Sequence, residues 1–202
     1  MSNPNTPFGF VHLGWSRGGP GVTGGTVERK IAAAYSTAIG RGDTVINQAS
    51  TPGYVQRGTA GVAGGNTAGI FVGCTYLSTA MGRRVFSSYW PTGDHAYDGT
   101  AFIIPIAGVP PQLFKVQALS TYFTIADIGK TVDIDAGAVV TTGGFGKSTM
   151  TVSHALLSTT SYPFKVVDLY SSIAPSGASG TDDTSNYNIV IVESNPWAEA
   201  SQ

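Results

Sequence analysis

Short runs of β-branched and aromatic residues, each closed by Gly, Pro, Asn or Asp, recur along most of the chain, and this rhythm limits the fold more than any other feature. In "RRVFSSYW" the residues Val85, Ser87 and Tyr89 alternate with Phe86, Ser88 and Trp90, the period of two of a pleated strand. "GIFVGCTYLS", residues 69–78, is apolar without alternation, the pattern of a strand buried on both faces. "TAFIIPIAG", "QLFKVQALS", "KTVDIDAG", "STMTVSHALL", "SYPFKVVDLY" and "YNIVIVESN" follow with turn residues between them. A spacing of roughly 8 to 15 residues indicates an all-β fold, an antiparallel barrel or sandwich of short strands, rather than alternating β and α units. "YFTIADIG" leaves room for one short helical turn.

Three segments are expected. Residues 1–26 hold seven glycines and three prolines among Phe8, Phe10 and Trp15, with no strand or helix period. They read as an extended Gly-rich N-terminal arm that orders against a neighbouring subunit, because a solvated tail has little use for such apolar side chains. Residues 27–98 form an N-terminal β subdomain and residues 99–202 a C-terminal one. The stretch "VERKIAAAYSTAIG" has helix-favouring Ala, Glu, Arg and Lys, but Ile31, Ala33, Tyr35, Thr37 and Ile39 alternate and "GRGD" follows as a tight turn. The balance favours a strand.

"TTGGFGKST" resembles a phosphate-binding loop, yet counting back from Gly146 places Thr141 where the motif needs its first glycine. Such a loop must also open a helix, whose free amides face the phosphates. After Lys147, Thr149, Thr151 and Ser153 alternate with Met150, Val152 and His154. That is a strand, and Gly143 and Gly144 are expected to turn the chain rather than to hold a nucleotide.

Other motifs yield to plain readings. Arg41-Gly42-Asp43 is ordinary turn chemistry before it is a cell-attachment signal. His12, His95 and His154 lie far apart, and Asp94, His95 and Asp98 lack the further His or Cys that a transition metal would want. Asp133 and Asp135 share one face of a strand whose Val132 and Ile134 face the core, the pattern of a half-exposed strand. No nucleophile elbow or other catalytic signature is present, so the sequence assigns no catalytic, cofactor-binding or metal-binding residue and no enzyme activity.

Composition narrows the partners. Only 11% of residues are charged and the net charge is −1, without the clustered Lys and Arg that phosphate neutralisation requires. Nucleic acid is therefore not expected. The single Cys74 lies in an apolar run and reads as an inert buried thiol. "MSNPNTPFGFVHLG" lacks the segments of a secretion signal, and "AFIIPIAGVPP" is too short to span a bilayer, so no membrane role is expected and a soluble protein made and retained in a cytoplasm is the default. The patch "SSYWPTGDHAYDG", with Tyr89, Trp90 and Tyr97, reads as a protein-contact patch, sheet-edge packing or a sugar platform.

The order of pieces in the second half is familiar. "AFIIPIAGVPPQLFKVQA", "IGKTVDIDAG", "TTGGFGKSTMTVS", "YPFKVVDLY" and "YNIVIVESNPW" resemble tailed-bacteriophage virion proteins of the capsid-decoration type, with Phe114 to Gln117 as the Phe-x-Val-Gln strand. "GRGDTV", "GIFVGCTYL" and "RVFSSYW" are similar to the same proteins' earlier part. The likeness spans roughly residues 35–195, rests on order rather than on any single motif, and leaves out the first 26 residues.

The resemblance implies a non-enzymatic cement protein, synthesised in the host cytoplasm and then seated on the capsid exterior of the virion. Its expected partner is the major capsid protein, and it is expected to form a small homo-oligomer, a trimer or dimer. Phe8, Phe10 and Trp15 in the arm, with Tyr89 and Trp90, are the expected contact residues. The alternatives are another virion part, at a head fibre base, neck or tail, or a β-sandwich carbohydrate-binding or adhesion module.

Overall fold

A computed structural model describes residues 3–15, 25–60, 67–106, 111–141, 145–158, 162–170 and 185–195. The strands in chain order are β1 (Val11–Trp15), β2 (Val27–Ile31), β3 (Thr44–Asn47), β4 (Val55–Arg57), β5 (Thr67–Leu77), β6 (Arg84–Ser87) and β7 (Gly99–Pro105). They continue as β8 (Gln112–Leu119), β9 (Thr131–Asp135), β10 (Val139–Val140), β11 (Lys147–Ser148), β12 (Thr151–Ser158), β13 (Phe164–Leu169) and β14 (Ile189–Ser194). The described chain is all-β, and its one helical piece is a 3-10 turn at Ile125–Asp127, within the stretch that left room for one.

The later strands run β8-β12-β9-β13-β14, and β14 returns to β8, closing a five-stranded barrel. Only the β8–β12 pairing is parallel. β1 lies antiparallel against the first half of β8 and extends the wall beyond the closed ring. The earlier strands form a second antiparallel sheet, β2-β7-β5-β3-β4, with β6 on the far half of β5. A bridge between Lys30 and Tyr54 brings the two ends of that sheet together.

Each layer has its own core. In the barrel, Phe10 stacks on Phe164 at 4.6 Å, and Phe114 meets both rings edge-on. Burying each such ring contributes about 2 to 3 kcal/mol. The second core gathers Ile31, Ile39, Val45, Phe71, Cys74, Trp90 and Ile103. β5 faces both ways: Phe71 and Cys74 enter the second core while Ile70 enters the barrel's. That explains the unbroken apolar run at residues 69–78.

Five expectations change. The boundary at 98/99 is displaced, because β7 is hydrogen-bonded to β2 and β5 of the earlier sheet. "PTGDHAYDG" joins two strands of one sheet rather than two subdomains. The arm does not stand apart along its described length: Asn3 donates to Ser185, Gln117 donates to the Pro4 carbonyl at 2.9 Å, and β1 completes the chain's own barrel wall. Residues 16–24 lie outside the described set. In "RRVFSSYW" the alternation breaks after Ser87, where β6 ends and the chain bends, so Trp90 joins Val85 on the core side while Phe86 faces solvent. In "VDID" Asp133 is buried at 1% exposure, so this strand is covered on both faces. The strand reading of 27–40 holds for Val27–Ile31 only, after which a turn closes from the Tyr35 amide to the Ala32 carbonyl.

Candidate functional site

The two layers meet at the turn that the sequence spells Gly40-Arg41-Gly42-Asp43. The Asp43 amide donates to the Gly40 carbonyl at 2.9 Å, and the Gly40 amide donates back to the Asp43 carboxylate at 2.7 Å. That carboxylate, 0% exposed, pairs with Arg57 at 2.8 Å and accepts the Ser148 hydroxyl at 2.5 Å. Arg57 donates in turn to the Ala136 and Gly137 carbonyls beyond β9. This ion pair of the early sheet is thus riveted to the later part of the chain through Ser148 and the Ala136 and Gly137 carbonyls. Burial pushes the Asp43 carboxyl up from its ordinary value, against the opposing pull of Arg57, Ser148 and the Gly40 amide. With the aspartate enclosed in this way, the tripeptide has no acid to present to an attachment receptor.

Around this rivet, backbone bonds gather four segments. The Phe10 amide donates to the Gly42 carbonyl at 2.9 Å, the Gly42 amide to Phe71, the Arg41 amide to Gly146 at 3.0 Å, and the Ser148 amide to Arg41 at 3.2 Å. Between the segments opens a groove of about 480 Å³, walled chiefly by Phe8, Val11, Ile70, Val72, Ile104 and Phe145, with Arg41 and Lys147 also on its lining. Phe145 is 76% exposed and Val11 38%. Arg41 and Lys147 are exposed, and neither side chain meets an acid among the described residues.

Gly146 fixes one wall of the groove. Its φ of +50° suits glycine, and a Cβ there would lie 2.0 Å from the Cβ of Tyr89. The loop is pinned further by the Ser88 hydroxyl, which donates to the Phe145 carbonyl at 2.8 Å. Lys147 pairs with Val140 in a β10–β11 ladder, so a strand and not a helix follows this loop, and the Ser148 hydroxyl is committed to Asp43. The strand expected after Lys147 is present as β11 and β12. Gly143 and Gly144 lie outside the described residues.

The expected contact residues divide. Phe8 is half-buried and lines the groove, and Tyr89 is half-buried against Gly146. Phe10 and Trp90 require correction. Phe10 is 3% exposed inside the barrel core, and Trp90 is 0% exposed, its indole N–H donating to the Tyr35 carbonyl at 2.9 Å and its ring 4.3 Å from His95. Neither has surface to offer a partner. Trp15 contributes its backbone to β1 opposite Gln112, and its side chain lies outside the described set. A sugar platform of Tyr89, Trp90 and Tyr97 loses its central ring, although Tyr97 is exposed.

Sequence reading missed Val11, Leu13, Arg41, Phe145 and Lys147. Phe145 carried a signal in retrospect, since an aromatic set among glycines at a hairpin tip cannot reach a core. Three aspartates elsewhere are engaged. Asp94 accepts from Ser78, Thr79 and the Ala80 amide, which hold its carboxyl below the usual range. Asp98 accepts from Tyr54 at 2.5 Å and the Ala33 amide at 2.8 Å. Asp127 sits among Thr124, Lys130 at 2.8 Å and His154 at 3.3 Å. Among the described residues no three His, Cys, Asp or Glu side chains gather where they could hold a metal ion.

No protein-family model, curated protein or solved structure matches this chain.

Proposed function

We propose that the chain is a structural protein of a bacteriophage particle, a decoration protein that seats on the outside of the head and bridges major capsid protein subunits. The observation that carries this reading is the apolar groove at the junction of the two layers, flanked by an uncharged edge strand. Such a face serves contact with another protein better than chemistry on a small molecule, because its lining offers apolar walls and two cations but no carboxylate. The motif order of the second half supports the same reading.

Attachment in this reading is a matter of number. A standard interface buries about 800 Å² per partner, and much of its gross energy is lost to ordering. A subunit that grips two shell proteins at once makes its second contact effectively intramolecular, so modest contacts sum to firm attachment. A small homo-oligomer around a local symmetry axis multiplies this again.

The test is the chain's place and copy number in purified particles, from quantitative mass spectrometry and a reconstruction of the virion. Copies commensurate with the shell and density on its outer face are expected. Density confined to the neck, tail or a fibre base would overturn the decoration reading, and absence from the particle would overturn the virion reading altogether.

A further inference from the structure

We propose that β1 is an acceptor for an added β-strand from a partner protein, and that this strand carries carboxylates that pair with Arg41 and Lys147. The strand "VHLGW" is bonded to β8 along one side, and no strand covers its other side among the described residues. Unpaired edges are normally blunted by charge, by proline or by closure. The longer edges elsewhere follow that rule: the barrel closes on itself, β2 bears exposed Glu28, Arg29 and Lys30 and bridges to Tyr54, and β6 begins with exposed Arg84, while the two-residue β10 is blunted by its shortness. β1 alone among the longer edges has neither charge nor proline, and its Val11 and Leu13 are 38% and 40% exposed. A five-residue edge without these guards is a template for a strand from a partner.

The groove gives the added strand somewhere to put its side chains. It is bounded by Phe8–His12 on one side and by Phe145 and Lys147 on the other, and a strand laid on β1 would turn alternate side chains toward it. Backbone bonds to β1 would then supply affinity and the groove selectivity.

Charge decides between the two occupants such an edge invites. A second copy laid on β1 across a two-fold axis would bring a second Arg41 and Lys147 toward the first, and like charges meeting at an interface oppose it. A strand with Glu or Asp beside its apolar residues satisfies both cations instead. Such a strand from a different protein is the better fit. The inference rests on the reading of this face as a protein-contact surface, whether or not the partner is a capsid protein.

Two fluorescein-labelled peptides, each with its apolar and charged side chains on one face of the strand, test it against the full chain: acetyl-Thr-Val-Thr-Glu-Thr-Glu-Thr-Val-Thr-amide and the same peptide with Lys for each Glu. Fluorescence anisotropy at low and high salt is expected to show the Glu peptide binding at least about tenfold tighter, with the advantage lost at high salt. Hydrogen exchange should show added protection of the free-edge amides of β1 only with the Glu peptide bound. The variant Arg41→Glu/Lys147→Glu, altered at two exposed positions and so expected to keep its melting temperature, should prefer the Lys peptide. Equal binding of the two peptides, binding of neither at millimolar concentration, or concentration-dependent dimers that themselves protect β1 would overturn the proposal. Particle-bound chain that ignores both peptides refutes this inference and leaves the decoration reading standing; peptide binding by a chain absent from particles does the reverse.

Discussion

Replacing Asp43 by Ala is expected to cost about 3 kcal/mol of folding stability. The carboxylate is 0% exposed and serves three donors, so its removal leaves the Gly40 amide and the Ser148 hydroxyl unsatisfied and the Arg57 guanidinium without its counter-ion. Breaking one side of a buried pair costs about 3 to 5 kcal/mol, and a buried donor left alone about 1 to 3. The lower end applies here, because Arg57 is 12% exposed and keeps the carbonyls of Ala136 and Gly137. Against a total stability of about 5 to 15 kcal/mol, and with a urea slope of roughly 2 kcal/mol per molar, the unfolding midpoint should fall by about 1.5 M. Urea titrations followed by far-UV circular dichroism would measure this for Asp43→Ala, Arg57→Ala and the double variant. The two single losses should exceed additivity by about 2 kcal/mol, since each already breaks the same rivet. A loss under about 1 kcal/mol for Asp43→Ala, with an additive double variant, would show that the pair does not hold the layers together.

Three further outcomes are expected. At Asp127 burial works against ionisation, but Lys130, Thr124 and His154 outweigh it and hold the carboxyl at about 2, below the ordinary 3.8. A depressed carboxyl stabilises fully above its unfolded value, so the unfolding free energy from urea titrations measured against pH should fall by about 1 kcal/mol from pH ~4 to ~2, a figure reduced for the exposure of Lys130, and Asp127→Asn should abolish that drop. Gly99→Ala would place a Cβ 2.2 Å from the Trp90 ring, and a thermal melt should show a loss of at least about 2 kcal/mol; an unchanged melt with an unchanged near-UV tryptophan signal would contradict this packing. Burial pushes the Cys74 thiol up to about 12, so a disulfide reagent at neutral pH should leave the native chain untouched and titrate one thiol in denaturant.

Where local pattern decides the outcome, the sequence was informative. The strand character of residues 69–78 and of the run after Lys147 follows from side chains that only a pleated backbone accommodates, and both are strands. Partnership between strands was not legible. Nothing in "GTAFIIP" says that β7 bonds to β5 and β2 rather than to its successor β8, because register is set by distant neighbours. The candidate site was misread for a related reason. Trp90 and Phe10 stand in Gly- and Pro-rich surroundings that read as surface, yet each ring is drawn into a core assembled by strands far along the chain. Arg41 and Lys147 were read as parts of familiar motifs, whereas their shared exposure beside one groove arises from a backbone ladder between residues 41 and 147 that no local spacing announces.

β1 sets an order of events in synthesis. Val11 is held opposite Lys115, so β1 is made before its partner strand and waits for the whole early sheet, β2 to β7, before its own place exists. During that wait it is a sticky, uncharged ribbon with no claim on it, and copies translated side by side from one message are positioned to trade ribbons. Closing β1 onto β8 joins residues about a hundred apart in the chain, the kind of distant contact that forms late and leaves a strand edge open in the meantime.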